Sequence, residues 1–216
     1  MVSTAAWVSR FAQLNIQWLT GAAPSVFFLY LMAEGHFWMA VPAFFTMALL
    51  FFPSTQALFS SVRDTVIGRE EQAFFSHFSA EYKQSVKGGG IGSLVWLIWL
   101  ADFMMLKGFS VVLDFFMIGS LIPLTAVTLY YFLAAAHYRL PVKQVIIKAA
   151  VLSIGLPKLT AGMLLLFGLI WYVSVNGVYA VLLFGSGSIA AFLLSSMFYR
   201  WYTEMMKKVE TERKIA

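Results

Sequence analysis

Two carboxylates flank one glycine at equal spacing. Asp102 and Asp114 each lie six residues from Gly108, in a stretch that is otherwise mostly apolar. At about 1.5 Å per helical residue, both would sit roughly 9 Å below a turn at Gly108, at matching depth on neighbouring helices. Two close carboxylates share a proton or hold a cation. Ionisable groups in a bilayer are costly enough to be functional candidates by default, so the pair is a candidate ion or ligand site. The competing reading is structural: both side chains reach the outer interface, with Lys107 as a partner. Lys158, just after Pro157, is the third candidate. A span starting near Ala149 would put it at mid-membrane, where it needs a carboxylate. A span starting at Leu159 would let it snorkel to the headgroups.

Other chemistry is absent from the sequence. There is no cysteine, hence no disulfide or thiolate metal site. His36, His77 and His137 fall in separate segments. No H-E-x-x-H, phosphate-cradling G-x-x-x-x-G-K-S/T or G-x-S-x-G pattern occurs. The reading is of a non-enzyme, with no catalytic residue, metal or cofactor.

The elements that must position these residues follow from composition. Of 216 residues, 61% are hydrophobic and 12% charged, and mean hydropathy is +0.80. Soluble domains carry about 25% charge. A water-facing globule and a nucleic-acid binder are excluded; the partner is a lipid bilayer. A helical span takes about 20 apolar residues, and six candidates emerge: 11–32, 37–59, 89–106, 110–134, 155–175 and 178–199. None shows the alternation of a β-barrel strand. The expected fold is an all-α membrane protein, a six-transmembrane-helix bundle forming one domain over 1–216, with a cytoplasmic amphipathic helix between helices 2 and 3.

Charge sets the expected orientation. With the N-terminus inside, the inner segments hold thirteen of the 15 Lys and Arg residues; Lys107 alone falls in an outer loop and Lys158 in a span. The positive-inside bias then predicts a multi-pass protein of the cytoplasmic membrane with both termini cytoplasmic. Arg10 precedes an apolar run too long for a signal peptide, and the first span reads as retained.

The inner side has two notable segments. Residues 60–87 form the amphipathic one, with a helix expected over Glu70–Lys87. Phe74, Phe78, Tyr82 and Val86 recur every four residues, with Phe75 beside them and Lys83 and Lys87 on other faces. Such a helix braces the bundle or docks a partner protein; Phe74, Phe78, Tyr82 and Lys83 are the docking candidates. Gly88-Gly89-Gly90 would then be a flexible entry into the bilayer. The second segment starts at Pro141, after which Val142, Val145, Ile146, Ala149 and Leu152 share a helix face. The charged tail 200–216 extends the last helix into water. Asn15 and Gln17 can hydrogen-bond between helices, and the small residues Gly185 to Ser188 permit close helix packing or an oligomer contact.

One resemblance rests on particular residues. The run Pro53 to Phe59, then Val62-Arg63, Phe75 to Phe78 and Tyr82 to Ser85, with Asn15 and Trp18 upstream, resembles the YesL-like bacterial membrane proteins, a family of unknown function. Phe52 stands where that family usually has glycine. The resemblance implies an auxiliary role in carbohydrate uptake, beside a sugar ABC permease or a signalling protein. It brings no catalytic residue. The alternative is a small transporter or channel, working as a homo-oligomer around the carboxylate pair.

Overall fold

A computed structural model describes residues 4–69, 72–176 and 185–215. The described residues are helical throughout, joined by short turns, with no strand among them. Helices satisfy their own backbone hydrogen bonds, which the hydrocarbon of a bilayer demands. Seven helices follow in order. α1 spans Thr4–Ala33 and α2 Phe37–Val66. α3 spans Phe74–Leu106, α4 Val111–His137, α5 Val142–Gly155, α6 Pro157–Val175 and α7 Ser186–Ile215.

Four of these, α1 to α4, are long and apolar enough to cross a membrane; α5 and α6 make a fifth span if the pair, bent by 98°, counts as one. The protein is therefore a multi-pass membrane protein. The expected spans 11–32 and 37–59 lie within α1 and α2, and 110–134 lies within α4 except for its capping residue Ser110. Span 155–175 matches α6 closely. Of span 178–199, residues 178–184 lie outside the described residues, and 186–199 belong to α7, which continues through the charged tail to Ile215.

The segment 60–87 is divided between two helices. Residues 60–66 complete α2, and 74–87 are the first part of α3, continuous with the span that follows. No proline interrupts α3, and Gly88-Gly89-Gly90 stays helical instead of hinging. The reason is packing. A Cβ on Gly88 would strike the Tyr131 hydroxyl, and one on Gly89 would come within 2.8 Å of Phe52 Cβ and 2.9 Å of Ala48 O. Gly88 and Gly89 are where α4 and α2 press against α3.

α2 is the central post. Every residue from Phe52 to Val62 is buried, and this half of the helix packs against α1, α3, α4 and α7. Pro53 cannot donate to the carbonyl four residues earlier, and its ring crowds that turn; a π-helical turn over Met47–Phe51 widens the helix just before it. The turn between α3 and α4 has Gly108 at φ +83°, a left-handed conformation that glycine adopts freely. Ser110 Oγ accepts from Leu113 N at 3.2 Å and caps α4. The first turns of α4 expose Val112, Phe115 and Phe116 by more than 70%, as a lipid-facing surface would.

Candidate functional site

The sequence candidates are dispersed. Asp114 accepts a hydrogen bond from Gly108 N at 3.0 Å, fastening the turn below it. Asp102 is exposed on α3. Among the described residues, no hydrogen bond or ion pair joins the two carboxylates, and no group of three His, Asp or Glu side chains could hold a metal ion. Lys158 is exposed in the first turn of α6, just past the 98° bend. On α3, Phe74 is buried at 3% exposure. Phe78 and Tyr82 are half-buried behind it, with ring centroids 6.5 Å (Phe74 to Phe78) and 5.3 Å (Phe78 to Tyr82) apart. Lys83 is exposed.

A different set of residues converges. Asp64, near the end of α2, is 3% exposed, and His77, in the first turn of α3, is 5% exposed. His77 Nε2 lies 2.8 Å from Asp64 Oδ2, and Nδ1 lies 3.8 Å from Glu81 Oε1 one turn on. The ring is thus held between two carboxylates from different helices. Glu81 Oε2 accepts from Ser60 Oγ at 2.9 Å and from Gln56 Nε2 at 3.3 Å. Arg63 donates to Asp64 Oδ1 from Nε at 3.1 Å and Nη2 at 2.6 Å. Its Nη1 donates to the Ala136 carbonyl, one of the last-turn carbonyls of α4 that have no partner within the helix. The buried charges are paired and hydrogen-bonded, as low-dielectric surroundings require.

The chain Ser60–Glu81–His77–Asp64–Arg63 therefore ties α2, α3 and α4 at one end of the bundle. Its chemistry is that of a charge clamp, in which the serine hydroxyl donates to Glu81 rather than to the histidine. Beside Arg63, a cavity of about 20 Å³, roughly one water in size, is bounded by His137, Ser195 and Tyr199. Below it, Lys148 Nζ sits 3.3 Å over the Tyr138 ring. Burial, then the neighbouring Tyr202 phenol, pushes the Tyr138 hydroxyl up, so the ring meets the ammonium as a neutral π face.

The sequence reading passed over Asp64, His77 and Glu81. The signal was present: Phe74, His77, Glu81, Ser85 and Gly88 recur at helical three- and four-residue steps, and all but Glu81, which is partly buried, are buried. The every-fourth aromatic row shares Phe74 with this face and otherwise flanks it. Asn15 fulfils its expectation. It is fully buried on α1, and its Oδ1 accepts from Gly187 N at 2.8 Å and Ser188 N at 3.2 Å, capping the free amides of the first turn of α7.

No curated protein and no solved structure matches the chain. Over residues 11–104, which hold the central post and all of the clamp except its Ala136 acceptor, the chain is similar to the family described as "Protein of unknown function, DUF624".

Proposed function

We propose that the protein is an accessory component of the cytoplasmic membrane, with both termini inside, that works by docking another membrane protein and catalyses no reaction. One observation carries this reading: α3 runs unbroken for 33 residues. That is about 50 Å of helix, roughly 20 Å more than the hydrocarbon core needs. The surplus is the N-terminal part, whose inner face is held by the Asp64–His77–Glu81 clamp. Its outer face presents Phe75, Ser79, Lys83 and Lys87, all exposed and spaced every four residues. A rigid stripe with one aromatic anchor and two ammonium groups fits a partner offering an apolar pocket beside acidic side chains. Phe74, Phe78 and Tyr82 brace this stripe from behind, and Lys83 belongs to it.

The resemblance to YesL-like proteins supports the finer reading, in which the partner is a sugar-importing ABC permease and the role is auxiliary to carbohydrate uptake. The test is purification from the native host in mild detergent, at native expression, with mass spectrometry of the complex. A permease subunit at near-equal amounts is expected with the natural chain. It should be lost from the Phe75→Ala/Lys83→Glu/Lys87→Glu variant, which melts at an unchanged temperature. A monodisperse homo-oligomer without a permease, for the natural chain and variant alike, would overturn the proposal.

A further inference from the structure

α5 packs one face on the bundle and leaves the other open. Val145 and Ala149 are 1% and 0% exposed, whereas Ile147, Val151 and Ile154 are 53%, 62% and 81% exposed. The open row begins with Lys143, one turn before Ile147, and beyond its end, past the bend, Lys158 stands in the first turn of α6. An apolar row is thus bracketed by a lysine at each end. Both lysines are exposed, as is Arg139. None of the three has a carboxylate partner among the described residues, and the sequence contains no acidic residue between Asp114 and Glu204. Lys148, by contrast, is spent on the Tyr138 ring.

The bend settles how this row lies. α5 and α6 meet at 98°, so with α6 crossing the bilayer, α5 runs along its surface. The start of α5 is tied to the neighbouring bundle by Gln84 Nε2, which donates to Leu140 O at 2.6 Å. A surface helix of this make sinks its apolar residues to the acyl boundary and holds its cations at headgroup level.

We infer that α5 is an interfacial helix whose two bracketing lysines each hold the phosphate of an anionic phospholipid. Charge complementarity identifies the occupant: unpaired cations stand beside an apolar row with no acidic group near in sequence. The 14 residues of α5 separate the lysines by about 20 Å, so they engage two lipids rather than one.

The experiment has two parts. The full chain is purified in mild detergent, and its retention of phosphatidylglycerol over phosphatidylcholine is measured by native mass spectrometry. Each lysine near an anionic surface contributes about fivefold, so Lys143→Gln/Lys158→Gln should reduce the preference about 25-fold. Lys107→Gln, beside the Gly108 turn at the opposite end of the bundle, should leave it unchanged. Because the chain has no cysteine, Ile154→Cys can carry a single nitroxide in phosphatidylglycerol vesicles, and its label should report the headgroup–acyl boundary. An equal retention of both lipids, a preference untouched in Lys143→Gln/Lys158→Gln, or a label at the bilayer centre, as in a re-entrant loop, would each overturn the inference.

Discussion

Asp64 takes donors on both carboxylate oxygens, Arg63 on one and His77 on the other, while only 3% exposed. Removing one partner of a buried charge pair leaves the others desolvated and unmatched, which costs about 3–5 kcal/mol. Asp64→Asn keeps the volume and removes the charge, so denaturant unfolding of the purified protein in detergent should show a loss of that size. Ser79→Ala, on the exposed face of α3, should change stability by less than about 0.5 kcal/mol. A loss no greater for Asp64→Asn than for Ser79→Ala would mean that the clamp does not hold α3 to α2. These residues were hard to read in sequence for a physical reason. Asp64 and His77 meet across a turn, and on a helix facing both water and bundle, the inner row mixes Phe74 with His77 and Ser85. An aromatic row beside it carries the stronger hydropathy contrast. Asp102 and Asp114 stood out because they interrupt apolar runs, and that contrast reports cost without reporting a partner.

At the scale of elements, α1 to α4 were legible from apolar length, and the turn between α3 and α4 from Gly108. The continuity of α3 was not. Three adjacent glycines read as a hinge unless a side chain from another helix occupies the space their missing Cβ atoms leave. Tyr131 does so at Gly88, and Phe52, 37 residues before Gly89, does so at Gly89; a single sequence does not display those pairings. The fit makes a prediction. The three atoms nearest a Cβ on Gly92 all belong to the Phe52 ring. Gly92→Ala should therefore destabilise by about 1–3 kcal/mol through overpacking. In a Phe52→Ala background the same change should cost almost nothing, giving a coupling energy in a double-mutant cycle. Purely additive losses would show that Gly92 is not seated on the ring. Gly89→Ala should not be relieved in this way, because the Ala48 carbonyl, a backbone atom, stands in its path as well.

For the whole molecule, the expected count of six spans meets four helices of spanning length and a fifth, bent pair among the described residues. The difference lies in the expected span 178–199: residues 178–184 fall outside the described residues, and 186–199 belong to a helix that runs on through the charged tail, which lowers its mean hydropathy. The charge distribution speaks to orientation, because alternating helices put the turn at Gly108 at one end of the bundle and the turn at Gly68 at the other. Lys107 stands beside the first and Arg69 beside the second. In the proposed topology thirteen of the 15 basic residues lie on the Arg69 side, and the positive-inside bias is the argument for proposing that this side is cytoplasmic. The natural chain lacks cysteine, so Lys107→Cys and Arg69→Cys can each be labelled without background. A membrane-impermeant maleimide should modify Lys107→Cys in intact cells and Arg69→Cys only after permeabilisation. The opposite pattern would invert the molecule and put the α3 docking stripe and α5 lysines outside. Labelling of both positions in intact cells would mean that α3 does not cross the bilayer, and the surplus length on which the docking proposal rests would have to be explained another way.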